Sequence, residues 1–159
     1  RRLRPKARQL VPTPVRPPKP SRNLESQEEL LNLLTWHPLW IAEVKDLVEL
    51  ERIEDPALRQ FFTRLWSLEI DEDQPLRIER LSYQEDPPAW RQRLGEIMAH
   101  NPTKAALEDA RKLARTIRDR AWAARLRELR PLVAQALNTG EMDGPLFKEY
   151  RQLQNYFRA

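Results

Sequence analysis

The sequence predicts an all-α fold, in which a multi-helix bundle subdomain is followed by a long helix leading into a C-terminal helical hairpin. Helix-start signals punctuate the chain from residue 24 onward. No stretch alternates apolar and polar residues with the β-branched enrichment of a strand. The segment from Pro102 to Asn138 also carries two apolar stripes at helical spacing. Together these observations predict helices alone, with two separate packing surfaces.

A basic, proline-rich stretch opens the chain. Residues 1–22 contain eight basic residues, six prolines and no acidic residue. Such a segment buries too little apolar surface to offset its ordering entropy, and its prolines favour extended polyproline conformations. We therefore interpret residues 1–23 as an interdomain linker. Residues 24–121 then form the bundle subdomain, and residues 122–159 form the hairpin subdomain.

Capping residues mark the starts of the short helices in the bundle. Ser26 and Glu29 form a capping-box pattern before a leucine-rich run. Asp55 and Asp86 each precede a proline, and proline at the first helical position costs no hydrogen bond. These prolines therefore mark beginnings rather than breaks. The predicted short helices cover approximately residues 26–35, 38–49, 56–68, 75–83 and 87–100.

The long segment from Pro102 to Asn138 is predicted to serve two packing partners. It follows a capping residue, Asn101, and ends before Gly140, a common helix terminator. The first apolar stripe comprises Leu107, Ala110, Leu113, Ala114, Ile117, Ala121 and Ala124. The second, turned by roughly a third of a revolution, comprises Trp122, Leu126, Leu129, Leu132, Val133 and Ala136. We expect the first half to complete the bundle and the second half to leave it, with Pro131 as a potential kink.

The last segment supplies the partner of the second stripe. It starts after Gly144, and its own apolar stripe consists of Leu146, Tyr150, Leu153 and Phe157. Phe147 and Tyr156 lie roughly 80–100° to either side of this stripe. Two interpretations stay open for these aromatic residues. They pack back on their own hairpin, or they form an interface, since Tyr and Phe are enriched in interface cores.

The composition argues against the common catalytic classes. The chain has no cysteine, two histidines and three glycines, which excludes or nearly excludes thiol nucleophiles, Cys/His zinc sites and glycine-rich phosphate loops. The acidic residues Glu69, Asp71, Glu72 and Asp73 are typical of a solvated turn rather than of a Mg²⁺ site. We therefore expect a non-catalytic chain without cofactor or metal. The lack of a signal peptide or an apolar span predicts a cytoplasmic location.

Positive charge is unevenly distributed along the chain. The net charge is +4, yet residues 23–103 contain 8 basic and 17 acidic residues, and residues 104–130 contain 9 and 4. One alternative function is a helical nucleic-acid-binding module that uses the basic long helix. Its cations would be Lys104, Arg111, Lys112, Arg115, Arg118, Arg120, Arg125 and Arg127. They are spread around the helix, which favours solvated charge over a phosphate-binding face, and the linker adds at most weak contacts.

Three parts of the chain, taken in order, resemble a known family. They are the opening LLNLLTWHPLW (residues 30–40), the Ala/Arg-rich long helix, and the ending RLRELRPLVAQALNTGEMDGPLFKEYRQLQNYFRA (residues 125–159). Over approximately residues 26–159 the chain resembles the C-terminal helicase-binding domain of bacterial replicative DNA primase. The basic proline-rich stretch is similar to the linker that joins this domain to the RNA polymerase core in the family.

The resemblance implies a docking module. In the family, this domain binds the N-terminal domains of the hexameric replicative helicase, which tethers RNA primer synthesis to the replication fork and modulates the helicase. The helicase contacts that the resemblance implies are Leu146, Phe147, Tyr150, Arg151, Leu153, Gln154, Tyr156 and Phe157. Trp122 and Leu126 are instead assigned to the hairpin core.

The resemblance also leaves two questions open. In some family members a basic patch on the bundle receives the acidic tail of single-stranded DNA-binding protein. Here the first helix begins with Glu25, Glu28 and Glu29, which departs from that pattern. The N-terminal bundle domain of the replicative helicase has a similar shape and is the other alternative, although the basic proline-rich linker argues against it.

Overall fold

The computed structural model describes residues 22–140 and 144–158, apart from the side chain of Arg22. All regular structure in these residues is helical, which confirms the all-α prediction for them. The six α-helices of the described residues are α1 Arg22–Trp36, α2 Ile41–Val44, α3 Pro56–Trp66, α4 Pro88–Ala99, α5 Leu107–Asn138 and α6 Pro145–Arg158. Short 3₁₀ turns lie at Pro38–Trp40, Lys45–Leu47, Leu50–Arg52 and Ile78–Arg80.

The bundle core forms beneath α1, α3 and the first half of α5. Its apolar residues are Leu30, Leu31, Leu33, Leu34, Ile41, Val44, Val48, Ile53, Ala57, Leu58, Phe61, Phe62, Leu65, Leu81, Leu94, Ala110, Ala114 and Ile117. Ile117 is the last residue of α5 in this cluster. The bundle core therefore uses less than half of the long helix.

Two polar residues of α1 hold the end of α4. Asn32 Nδ2 donates to the carbonyl oxygens of Ile97 at 2.8 Å and His100 at 2.7 Å. Trp36 Nε1 donates to the carbonyl oxygen of Met98 at 2.9 Å. The last carbonyl groups of a helix have no partner within it. These three bonds supply partners and fix α4 against α1.

A second core lies between the distal half of α5 and α6. Leu126, Leu129, Val133 and Phe147 are buried, and they lie outside the bundle core cluster. The prediction that α5 serves two packing partners is therefore confirmed. Leu132 was wrongly included in the second stripe, because it is exposed at a position about 100° around the helix from Val133.

Three predicted helix boundaries are confirmed. α3 begins after Asp55, whose Oδ1 accepts a hydrogen bond from the Leu58 amide at 3.1 Å. α6 begins at the proline that follows Gly144. α5 ends at Asn138, and Gly140 adopts a positive φ of 83°, which suits glycine because it has no Cβ.

The start of α1 differs from the prediction. The helix begins at Arg22, so Ser26 lies inside it and is not its cap. The Ser26 hydroxyl instead accepts a hydrogen bond from Arg120 Nη1 at 2.9 Å. Arg22 and Asn23, predicted to be part of the linker, belong to α1. The rest of the predicted linker lies outside the described residues.

The start of α5 also differs from the prediction. It begins at Leu107 rather than directly after Asn101. The Asp109 carboxylate accepts a hydrogen bond from the Ala106 amide at 2.7 Å. This bond satisfies one free donor before the first turn and sets the boundary.

Two segments predicted as helices are mostly less regular. Residues 38–49 contain only the short α2 between two 3₁₀ turns, and residues 75–83 contain one 3₁₀ turn. The Leu76 amide donates to the Thr35 carbonyl at 2.8 Å, and Leu81 is fully buried in the bundle core. Asp86, predicted to cap α4, instead binds Arg64 at 2.6 Å, and α4 begins two residues later. In residues 75–83 and at Asp86, contacts with distant residues have replaced the predicted local ones.

Candidate docking surface on the C-terminal hairpin

α5 and α6 form an antiparallel hairpin whose last residues return toward the bundle. Arg125 of α5 bonds Glu149 of α6 at 2.7 Å, and Asp119, nearer the bundle, accepts from the Tyr156 hydroxyl at 2.6 Å. The C-terminal end of α6 therefore lies beside the junction between bundle and hairpin. The turn at Gly140 lies at the opposite end, which we call the tip.

The apolar stripe of α6 is mostly used in closing the hairpin. Leu146, Tyr150 and Leu153 are half-buried. Phe147, which the sequence offered as a helicase contact, is only 8 % exposed and belongs to the hairpin core. Its side chain therefore provides packing and not contact surface. The first of the two interpretations holds for Phe147.

Tyr156 is held against α5 by its ring and by its hydroxyl group. The ring meets Trp122 edge to face with centroids 4.7 Å apart. The hydroxyl donates to Asp119 Oδ1 and accepts from Arg118 Nη2 at 2.7 Å. The hydrogen bond to the Asp119 carboxylate raises the pKa of Tyr156. These contacts fix the orientation of the last turn of α6.

Phe157 extends this aromatic group into solvent. Its ring meets that of Tyr156 edge to face, with centroids 5.1 Å apart. Phe157 is 41 % exposed and Tyr156 is 37 % exposed. An apolar ring that is held in place yet accessible is well suited to an interface, because little conformational entropy is lost on binding.

The two remaining predicted contacts differ in exposure. Arg151 is exposed on the outer side of α6. Gln154 is half-buried, and its Nε2 donates to the Tyr150 hydroxyl at 3.0 Å. Gln154 therefore helps to order α6, whereas Arg151 is available to a partner.

Polar contacts attach the base of the hairpin to the bundle. Trp122 Nε1 donates to Glu49 Oε1 at 2.9 Å, so Trp122 lies at the junction and not deep in the hairpin core. Arg52, from a 3₁₀ turn of the bundle, donates to Glu128 of α5 at 3.2 Å. Trp122, Glu49 and Arg52 border a cleft of about 360 Å³ between bundle and hairpin. The hairpin therefore has its own core but a defined attachment.

An arginine joins the two helices of the hairpin. Arg125 binds both carboxylate oxygens of Glu149, at 2.7 and 2.9 Å, and also approaches Glu128. Hydrogen bonds from Arg125 hold the pKa of Glu149 below its ordinary value, and bonds from Arg52 do the same for the pKa of Glu128. Ionised carboxylates therefore favour the closed hairpin.

Low pH should weaken the Arg125–Glu149 pair within the hairpin and the Arg52–Glu128 pair between hairpin and bundle. Folding lowers the pKa of Glu128 and of Glu149 from 4.5, so their stabilising effect is complete above pH 4.5 and is lost as pH falls through the lowered values. We expect the amide protons of α6 to lose protection from hydrogen exchange below pH 4.5, before those of α1 do. Nuclear magnetic resonance spectra recorded at decreasing pH test this. Equal protection of α6 and α1 until global unfolding would contradict it.

Most arginines of α5 are already engaged within the fold. Arg111 binds Glu43 at 3.2 Å, and Arg115 binds Glu108 at 2.7 Å. Arg118, Arg120 and Arg125 bond Tyr156, Ser26 and Glu149. Because these five guanidinium groups have intramolecular partners, they are less available to phosphate groups. The nucleic-acid alternative loses support at this helix.

The acidic turn serves a structural purpose at one of its residues. Asp73 accepts hydrogen bonds from the Leu39 amide at 3.3 Å and pairs with His37 Nδ1 at 3.2 Å. Within residues 22–140 and 144–158, no group of three or more His, Asp or Glu residues is arranged to hold a metal ion. Asp73 therefore ties the turn to the start of the 3₁₀ segment at Pro38.

Several residues of the junction were not found from the sequence. Asp119 and Arg118 bind the Tyr156 hydroxyl across 37 and 38 positions of the chain, and Glu49 meets Trp122 across 73. In the sequence, these charged residues occupy positions that are typical of the solvated face of a helix. No local spacing could have identified them, because each contact depends on how the helices cross.

Comparison with known proteins adds no family assignment. No protein-family model, curated protein or solved structure matches the chain. In the part of the chain that the structure describes, no helix has both the length and the apolar character to cross a membrane.

Proposed function

We propose that the chain is a non-catalytic docking domain that binds the N-terminal domains of the replicative helicase hexamer. In this role it tethers RNA primer synthesis to the cytoplasmic replication fork and modulates the helicase, as in the primase domain that its sequence resembles. The catalytic part of the primase would lie outside this chain. A ring of identical helicase subunits presents repeated sites, so moderate affinity at each site is sufficient.

One observation carries the proposal. The hairpin has a core of its own, formed by Leu126, Leu129, Val133 and Phe147, outside the bundle core. A hairpin that closes on itself keeps its outer faces free while the bundle stays folded. This is the arrangement expected of a recognition element mounted on a support.

The aromatic end of the hairpin is the part that we expect to contact the helicase directly. Tyr156 and Phe157 remain partly exposed although their neighbours are packed. Ordered aromatic residues at the edge of a fold dominate many protein interfaces. The charged and amide residues around them then exclude water from the contact.

Removing residues 142–159 and measuring association with the helicase N-terminal domain is the direct test. We expect loss of binding, and unchanged affinity would exclude the hairpin from the contact. Because this deletion uncovers Leu129 and Val133, a milder variant is needed beside it.

Phe157→Ala is that milder variant. Truncation of an exposed interface aromatic is expected to raise the Kd for the helicase N-terminal domain about tenfold. The matched control is Leu39→Ala, since Leu39 is 47 % exposed on the bundle. Calorimetric titration of both variants checks the result, and circular dichroism checks that each is folded. Equal Kd values for wild type and Phe157→Ala would remove this ring from the interface.

A further inference from the structure

The outer face of α6 carries a basic stripe. Lys148, Arg151, Asn155 and Arg158 are exposed and follow one another at spacings of three, four and three residues. These spacings place them on one side of a helix, opposite the apolar stripe that packs on α5. From Lys148 to Arg158 the stripe is about 15 Å long, at 1.5 Å per residue.

The charge on this stripe is not neutralised within the described residues. Lys148, Arg151 and Arg158 make no ion pair with any residue in 22–140 or 144–158. The two acidic residues described in the hairpin subdomain (residues 122–159), Glu128 and Glu149, are both bound by arginines. The hairpin therefore presents unpaired positive charge on its outside and uses its described carboxylates internally.

The bundle has the opposite charge balance. Residues 23–103 contain 17 acidic and 8 basic residues. The bundle therefore adds no net positive charge over this range for a polyanion such as nucleic acid. The stripe alone offers three cations, whereas a protein that binds duplex DNA typically neutralises about six to ten phosphates. A compact acidic patch on a protein fits these dimensions better than nucleic acid does.

We infer that the helicase surface received by α6 is acidic, and that Lys148, Arg151 and Arg158 bind its carboxylates. This inference rests on the proposed function and specifies the chemistry of the partner. The apolar stripe of α6 is largely consumed in the hairpin core, so the contact combines the Phe157 ring with this charged face. Such charges steer encounter and select the partner, and they make the association sensitive to salt.

The test compares two triple charge reversals in the full chain. One carries Lys148→Glu, Arg151→Glu and Arg158→Glu. The matched control carries Lys45→Glu, Arg77→Glu and Arg80→Glu, which changes the net charge equally at exposed positions of the bundle. The probe is the helicase hexamer, and fluorescence anisotropy gives the Kd. A glutamine version of the first triple covers the case in which charge reversal impairs folding.

We expect the α6 reversal to raise the Kd at least about tenfold and the bundle reversal to change it less than about twofold. The Kd of the glutamine version should lie between the Kd values of the wild type and the α6 reversal. The wild-type Kd should also rise as salt increases from about 0.01 to about 0.15 M, because the screening length falls from about 30 to about 8 Å.

Three results would overturn the inference, and they have different meanings. If the wild-type chain does not bind the helicase, the proposed function fails as well. If it binds with a Kd that neither salt nor the α6 variants change, the acidic partner surface is excluded and the proposed function stands. If single-stranded DNA binds the stripe more tightly than the helicase does, with the same dependence on the α6 variants, nucleic acid is the occupant.

Discussion

Replacing Leu129 with alanine should unfold the hairpin while the bundle remains folded. Leu129 is fully buried in the hairpin core, which lies outside the bundle core. A buried Leu→Ala change costs about 2–5 kcal/mol through lost burial and the cavity left behind. A core of so few side chains has little stability in reserve. We therefore expect residues 122–140 and 144–158 to lose order before the bundle does.

Hydrogen exchange measured residue by residue checks this expectation. In Leu129→Ala, amide protection should fall throughout α6 and the distal half of α5, while α1 keeps its protection. The matched control is Leu94→Ala, since Leu94 is fully buried in the bundle core. It should reduce the protection of α1 instead. Equal loss of protection in both regions of both variants would mean that the cores unfold together.

Replacing Asp86 with alanine should have a comparably large effect on the bundle. Arg64 and Asp86 form a two-pronged ion pair at 2.6 and 2.8 Å, with side chains only 12 % and 9 % exposed. Arg64 also donates to the Leu81 carbonyl at 2.9 Å and lies over the Tyr83 ring. The pair holds the pKa of Asp86 below its ordinary value. Removing the carboxylate leaves a largely buried guanidinium without its counter-ion, which costs about 3 kcal/mol.

Chemical denaturation of two variants separates the effect of losing the ion pair from the effect of leaving one charge without its counter-ion. Asp86→Ala should lower the free energy of unfolding by about 3 kcal/mol. The double variant Arg64→Met, Asp86→Ala should recover much of that loss, because no charge is left buried. A loss smaller than about 1 kcal/mol in Asp86→Ala would show that water solvates the guanidinium after the change.

Part of the fold could be predicted because its causes are local. Asp55 caps α3 through an amide three residues away, and Gly140 ends α5 through its own backbone freedom. The two apolar stripes of α5 follow from helical geometry, because one continuous segment carries both. In each case the physical cause lies within a few residues of its effect.

Other parts could not be predicted because distant residues decide them. Ser26 has the signature of a cap, yet Arg120, 94 positions away, uses its hydroxyl. Asp86 precedes a proline as a cap would, but Arg64 binds its carboxylate. A polar side chain suited to a local bond can also satisfy a long-range one, and the crossing of the helices decides between them.

The candidate site shows the same division. The spacing of Leu146, Tyr150 and Leu153 predicted a closed hairpin, which the structure contains. The position of Phe147 on a helical wheel left two interpretations open, and only its burial separates them. The link from Tyr156 to Asp119 depends on how far α6 extends along α5, which sequence spacing does not determine.

α5 runs as one continuous helix from the bundle core into the hairpin core. Its 32 residues form a helix about 48 Å long at 1.5 Å per residue, and both cores pack against this helix. A flexible loop between the two cores would leave their relative orientation free. Because one continuous helix carries both cores, a partner that binds the hairpin also constrains the orientation of the bundle. Pro131, which removes one backbone hydrogen bond from α5, lies in the distal half of the helix, on the hairpin side.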